Sequence, residues 1–439
     1  MTATRTPTQC ETCTADVLVV GGGIAGIQAA LDLADQGFTV IIAERQPSIG
    51  GRMISLSKVF PTLDCASCIT TPKMSAAAHH PNIRVLTNTH VEAIVSGAKG
   101  RTVRLTRRAT YVNEEACIGC RLCEYACPVE YPDPFESGLG ATRAIAVPFA
   151  NAIPQKAVLD PDRCLACGAC ARACPTGAIE YDQQPRTLVA EVSAVIIASG
   201  FQLNDPDLKP EYHAADSPNI LSPLQMERLL APHGPYGRVL RPSDGKVPES
   251  IAYVQCAGSR DLSIGVPYCS RVCCMYAIKQ AMLLSGALPL ADITIYYMDI
   301  RAFGKGHEQF YQNAAAMGIS FVRGKVARVM PTDGDDLVVR AELMEEPGGP
   351  VAENRHDLVV LSQGIVPQWN PCGLSPVACA ADGFVATPDS LSPANTSAEG
   401  VFVAGAAAGP MDIVDSIVSA GAAAMAASRY LHRHREQQP

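Results

Sequence analysis

The sequence predicts an α/β chain of two doubly wound, dinucleotide-binding-type units, the first interrupted by a small α+β insert rich in cysteine. Three observations carry this. A strand, a glycine-rich turn, a helix and a second strand follow one another over residues 16–44. Strand–helix–strand alternation recurs over 246–367. Between these units lie two cysteine runs of identical spacing, Cys117–Pro128 and Cys164–Pro175. With 439 residues the chain has room for two to three domains.

In chain order, Asp16–Val20 (DVLVV) reads as a short buried parallel strand. It runs into a G-x-G-x-x-G turn with Gly21, Gly23 and Gly26 at the key positions. Ile27–Gln36 reads as a helix with a small, close-packing face of Ala29, Ala30, Leu33 and Ala34. Gly37 suits its left-handed cap. A second strand, Thr39–Ala43, ends at Glu44. Glycines at these places let the backbone approach a pyrophosphate at the helix N-terminus, and the acid takes the ribose hydroxyls. The glycines alone are a weak signal; the whole unit with its acid is a strong one.

Three later stretches choose between FAD and NAD. Gly50-Gly51-Arg52 resembles the second pyrophosphate contact of FAD-binding disulfide-reductase-type flavoproteins. Ala194–Gly200 (AVIIASG) is similar to their second short strand and its small-residue turn. Val401–Ala406 (VFVAGA), with Gly405 and Ala406, is similar to the strand that meets the flavin end. Ile413–Ala427 reads as a small-residue helix closing the domain. These resemblances imply FAD.

Each cysteine run has the form C-x2-C-x2-C-x3-C-P, which holds paired cubane iron–sulfur clusters. Three thiolates two residues apart wrap one cube, and the fourth, before proline, ligates the other. This assigns Cys117, Cys120, Cys123 and Cys174 to one [4Fe-4S] cluster, and Cys164, Cys167, Cys170 and Cys127 to a second. Zinc knuckles and unliganded core cysteines are the competing readings, but structural zinc sites rarely carry the third and fourth cysteines at these intervals. The proline-bearing stretch between the runs is expected as an extended loop over one cluster. Two strand-like runs, IRVLTN and TVRLTRR, precede the insert.

In the second unit, Ile251–Gln255 and Asp292–Met298 read as strands and Ala277–Leu284 as a helix. The turn after the first strand reads Cys256-Ala257-Gly258-Ser259-Arg260, and one glycine does not make a dinucleotide cradle. No NAD(P)H site is therefore expected. Instead Cys256, Cys269, Cys273 and Cys274 follow as C-x12-C-x3-C-C. The pattern suggests a metal cluster; a local disulfide and buried apolar thiols are the alternatives.

Cys65 and Cys68 form a lone CxxC, and Cys10 and Cys13 another. Four such thiols could share a fourth iron–sulfur cluster or a zinc, lie inert, or include a redox disulfide. Cys372 and Cys379 fit no cluster spacing and read as structural. Lys279, beyond the cysteine doublet, could reach the flavin and stabilise its reduced anion; otherwise it is a solvated helix lysine. Lys305 and His307 are similar candidates.

Composition narrows the partners. Hydrophobic residues make up 48% and charged ones 18%, enough for a large core. Net charge is −8, and the basic run His432–Arg435 is short, which argues against nucleic acid. No apolar run is long enough for a membrane span, and the first residues lack a secretory signal. Most of the 18 cysteines fall into cluster spacings, so a reducing cytoplasm is expected.

Together the stretches GGGIAGIQAALDLADQG, PSIGGRM, TLDCASCITTPKM, both cysteine runs, QCAGSRD, YCSRVCCMYAIKQA, YMDIRAFGKGHEQFY and VFVAGAAAGPMDIVDS resemble the A-type polypeptide of heterodisulfide reductase and its bacterial short-form relatives. The resemblance covers nearly all of 15–428. It implies a thioredoxin-reductase-like flavoprotein with an inserted double-cluster ferredoxin domain. It also implies that Cys256, Cys269, Cys273 and Cys274 ligate a cubane near the flavin, giving three [4Fe-4S] clusters, or four with Cys10, Cys13, Cys65 and Cys68. The implied role is to split or relay electron pairs from FAD to ferredoxin or to disulfide-reducing B and C subunits, with two copies of this polypeptide forming a homodimer. Methanogen members carry an additional N-terminal cysteine-bearing domain and a C-terminal ferredoxin domain, so electrons are expected to arrive from a separate polypeptide here. The rival functions are a free-standing NAD(P)H-dependent flavin disulfide reductase and a zinc-stapled, non-redox scaffold. The expected divisions are an N-terminal CxxC segment (1–14), FAD-binding parts at 15–109, 185–245 and 368–439, the ferredoxin insert at 110–184, and the NAD-domain-like unit at 246–367.

Overall fold

The computed structural model describes residues 11–97, 100–345 and 348–436. The first unit begins with β1 (Glu11–Val20), α1 (Ile24–Ala34), β2 (Val40–Ala43), α2 (Ala66–His79), β3 (Ile83–Leu86), β4 (Thr89–Gly97) and β5 (Gly100–Arg107). The insert holds α3 (Leu122–Ala126), the hairpins β6–β7 (Glu130–Pro132, Ala141–Arg143) and β8–β9 (Ile145–Ala146, Val158–Leu159), and α4 (Ala169–Ala173). The chain returns to the first sheet as β10 (Arg186–Ile197) and leaves it through β11 (Phe201–Leu203).

The second unit comprises β12 (Ile220–Leu221), α5 (Pro223–Leu230), β13 (Ser250–Ala257), α6 (Cys273–Ala287), β14 (Asp292–Tyr297), α7 (His307–Ala316), β15 (Ser320–Pro331), β16 (Leu337–Leu343), β17 (Val351–His356) and β18 (Leu358–Gln363). β19 (Ile365–Pro367), β20 (Val401–Val403) and α8 (Ile413–Glu436) complete the first unit.

The first sheet runs β3-β2-β1-β10-β5-β4, with β20 also on β10. Its parallel part is β3-β2-β1-β10-β20, and its β10-β5-β4 part is antiparallel. The second sheet runs β12-β18-β13-β14-β15-β16-β17. Both chain excursions start and end at paired residues. The insert departs after Arg107 and returns at its register partner Arg186. The second unit departs after Leu203 and returns at its partner Ile365. Each excursion therefore leaves and re-enters its sheet at paired residues, and each module has a core of its own. Val17, Val19, Ile27 and Leu33 anchor one core, Tyr253, Ile278 and Ile295 another, and Val112, Ile145 and Ala178 that of the insert.

Several elements differ from expectation. β1 starts at Glu11 rather than Asp16, because its polar first half pairs with the early part of β10. The segment after Ile83 forms three strands, not two. α6 begins at Cys273, a turn before the apolar run that suggested it. Residues 206–245, expected with the FAD-binding part, give β12 and α5 to the second sheet and core, through Leu221, Met226, Leu229 and Val239. The stretch between the cysteine runs is no extended loop: two hairpins form, and Phe135 and Phe149 stack at 4.6 Å against the first core.

Candidate flavin and iron–sulfur site

The dinucleotide cradle lies where β1 meets α1. Gly23 stands at the N-cap of α1 without a side-chain cap, leaving first-turn N–H groups free for a phosphate. Glu44, at the end of β2, accepts from Gly22 N–H (2.7 Å) and Gln46 N–H (2.8 Å). Burial raises its carboxyl, while those N–H groups pull it back. Gly50 N–H donates to Gly22 O at 2.7 Å, folding the Gly50-Gly51 loop over the turn. At Gly51, φ is +57° and a Cβ would lie 2.7 Å from Gly23 Cα, so no side chain fits. Gly405 (φ +63°) approaches from β20; its Cβ would lie 2.6 Å from that of Ala25. Gly26 packs on the Gly21 carbonyl, and Ala406 is buried beside Gly405. Gly200 O accepts from Gln368 N–H (3.4 Å), whose side-chain amide lies against Arg52. These side-chain-free surfaces around a bare helix N-terminus fit FAD.

In the insert, the thiols gather across the two runs. Cys117, Cys120, Cys123 and Cys174 line one hollow. Cys164, Cys167, Cys170 and Cys127 line a second. Left-handed residues recur at matching places, Gly119 and Arg121 in one run and Ala166 and Gly168 in the other. Burial pushes the Cys123 thiol up to about 11. Among the described residues, no three His, Cys, Asp or Glu side chains close on a point as one ion requires. Thiols ringing a hollow suit a cubane better than a tetrahedral zinc.

Two contacts tie the first hollow to the cradle. Lys156 Nζ donates to Cys117 O at 2.5 Å. Nearby, Ile153 O accepts from Ile49 N–H (3.1 Å) and Ile153 N–H donates to Ser48 Oγ (2.8 Å), next to Gly50.

Cys256, Cys269, Cys273 and Cys274 converge from the end of β13, the following loop and the start of α6. Burial raises Cys256, Cys273 and Cys274, each further raised by its neighbouring thiols, and Cys274 reaches about 11. Arg260 faces Cys256 and pairs with Asp299. Arg271 carries the loop to the flavin end of the first unit, donating to Pro410 O (3.3 Å) and Asp415 (3.0 Å). The Asn204 side chain fills the space above Gly258 where a Cβ would stand, 2.6 Å from its Cγ. Sequence reasoning missed Arg260, Arg271 and Lys156; the first two flank cysteines as Ser-Arg pairs, a signal that was available.

Lys279 is neither solvated nor free: its ammonium is buried against Glu227 and donates to Lys58 O at 2.9 Å. His307 lies edge-on to Phe60 at 6.1 Å, and Lys305 is exposed. Cys13 is buried in β1 against Ile94 and Val103, whereas α2 packs on the other core; the structure does not bring it to Cys65 and Cys68. Cys10 lies outside the described residues. Cys65 caps α2, accepting from Cys68 N–H at 3.3 Å. Cys372 and Cys379 form a disulfide.

Residues 16–109 match the FAD dependent oxidoreductase family model, and 116–178 the 4Fe-4S dicluster domain. The fold is that of thioredoxin reductases. The enzyme of T. acidophilum covers 96% of this chain (99% of its own) with a TM-score of 0.55 at 15% identity. That of Lactococcus lactis covers 95% (99% of its own) with 0.54 at 13%. Much closer in sequence is the A-type polypeptide of the H(2):CoB-CoM heterodisulfide,ferredoxin reductase of Methanothermobacter marburgensis, 44% identical over 93% of this chain and 63% of its own length. The curated homologues of this chain are A-type heterodisulfide reductase polypeptides. A further homologue, the iron-sulfur A-type polypeptide of the CoB--CoM heterodisulfide reductase of Methanocaldococcus jannaschii, is 43% identical over 94% of this chain and 63% of its own. The A-type polypeptide of the Ferredoxin:CoB-CoM heterodisulfide reductase of Methanosarcina mazei is 44% identical over 93% and 52%. The chain thus spans between half and two thirds of the A-type polypeptides it matches. Among the described residues, no helix is long and apolar enough to cross a membrane.

Proposed function

We propose that this chain is the FAD and iron–sulfur electron-transfer component of a heterodisulfide-reductase-like complex in the cytoplasm. It would split or relay electron pairs to ferredoxin or to B- and C-type disulfide-reducing subunits, with two copies of this chain forming a homodimer. The observation that carries the reading is the attachment of two thiol-bearing modules to one FAD cradle. The insert is joined to it at Ile49–Ile153, and the Cys269 loop at Arg271–Asp415.

FAD supplies the exchange between two-electron and one-electron chemistry. Gly23, Gly51 and Gly405 shape its seat, and Glu44 would orient its ribose. The insert thiols would hold two clusters, and Cys256, Cys269, Cys273 and Cys274 a third. Arg260, a fixed positive charge beside Cys256, would favour the electron-rich state of that centre.

The test is electron delivery by anaerobic protein, reduced chemically, to ferredoxin and to a disulfide-reducing partner complex. Delivery only when partners are present supports the proposal. Prompt flavin bleaching by NADPH alone would support the free-standing reductase instead. Colourless, zinc-loaded protein would support the scaffold.

A further inference from the structure

α5 spans only 8 residues, yet one turn of it reaches all three modules. Glu227 and Arg228 are 2% and 0% exposed. Glu227 accepts from Ser57 N–H (3.0 Å) and Ser57 Oγ (2.7 Å), in the segment just past the Gly50-Gly51 loop. Its other oxygen accepts from Lys279 and from Gln280 Nε2 (2.6 Å) on α6, the helix that starts with the cysteine doublet. Lys279 in turn donates to Lys58 O. Burial alone would raise the Glu227 carboxyl, but the Lys279 ammonium with Gln280 and Ser57 holds it below the usual range.

Arg228 points elsewhere. It grips Glu136 with two nitrogens (2.8 and 3.0 Å) and donates to Ser55 O (3.0 Å). Its guanidinium lies 4.7 Å from the Phe135 ring. Gln225 adds a bond to Ser137 O (3.3 Å). Residues 135–137 belong to the stretch between the two cysteine runs.

We infer that Glu227 and Arg228 are positioning residues, a three-way clamp that fixes the insert, the FAD cradle and the Cys273–Cys274 helix at one mutual spacing. Buried, fully partnered charges suit this task. Separating the insert would part Arg228 from Glu136, and separating the cradle would strip Glu227 and Lys279 of their Ser57 and Lys58 bonds, so either movement leaves buried charges short of partners. Electron transfer between centres is steep in distance, and a fixed spacing serves it. The relevance to electron flow rests on the proposed three-centre reading; the clamp itself rests on the contacts.

The experiment compares R228Q and E136Q with S57A, a milder break, and with R340Q, which opens only the exposed Arg340–Glu353 pair. Iron and FAD per chain are measured first. The clamp predicts that R228Q and E136Q keep both cofactors. Amide exchange at 55–58 and 134–139 should rise at least about tenfold in each, because one broken partner frees two modules. S57A should raise it less, and R340Q not at all. Magnetic coupling between the reduced centres of the insert and of α6 should weaken in R228Q and E136Q. Cofactor-loaded R228Q, E136Q and S57A with unchanged exchange would overturn the clamp. Only about 8 irons in the unsubstituted protein would fault the three-centre reading, and exchange would still decide the clamp.

Discussion

Cys174 shares its hollow with Cys117, not with Cys164, Cys167 and Cys170 of its own run. The loss of either thiol should therefore have one and the same effect. C117S and C174S should each remove one cluster, about 4 irons, and the double variant should lose no more. C127S should instead behave like C164S. Iron analysis with EPR of the reduced protein checks this. A C174S signature matching C164S rather than C117S would refute the crossed pairing.

Glu44 is the acid of the cradle, and its carboxylate takes up the Gly22 N–H. E44A leaves that buried donor without a partner, at ~1–3 kcal/mol. FAD retention should fall at least about tenfold, the equivalent of 1.4 kcal/mol. Flavin released on denaturation, counted per chain, measures it. Iron in the insert should remain.

Gly51 tests the cradle by shape rather than charge. G51A sets a methyl group against Gly23 Cα and strains a left-handed residue. The purified variant should lack FAD while its insert clusters persist, as read from the visible spectrum. Full flavin occupancy would show that the loop does not face the cofactor.

His356 gives a pH signature of the second unit. It is buried between Ser250 Oγ (2.8 Å) and Tyr296 OH (3.1 Å), with Asp357 and Asp292 nearby. Burial lowers it to about 4. An unfolded histidine titrates near ~6.5, so in that window the unfolded chain binds the extra proton and stability rises with pH. Stability is full above ~6.5 and falls by up to ~3 kcal/mol as pH drops toward about 4. Unfolding midpoints at about pH 7 and about pH 5 should diverge more in the natural protein than in H356Q. Equal shifts would contradict the assignment.

The cradle, the insert and the second unit were legible because each depends on short, rigid chemistry. Glycines mark close backbone approach, and cysteine spacing reflects the size of a cluster. The α5 clamp was not legible. Glu227 and Arg228 look like solvated helix charges, and Ser57, Glu136 and Lys279 are far off in sequence. Only the fold brings them together and buries them. The same limit explains Cys13. Its CxxC with Cys10 suggested a ligand, but extension of β1 by pairing with β10 carries it into the sheet core. Lys279 shows the reverse: its helix position was evident, its burial was not.

The most direct test of the account is iron, acid-labile sulfide and FAD per chain in anaerobically purified protein, with C269S alongside. The account predicts about 12 irons and one FAD, falling to about 8 irons in C269S with the insert signals intact. About 8 irons in the unsubstituted protein, unchanged by C269S, would contradict it. The thiols around Cys256 would then hold no cluster, leaving a flavoprotein with a ferredoxin insert.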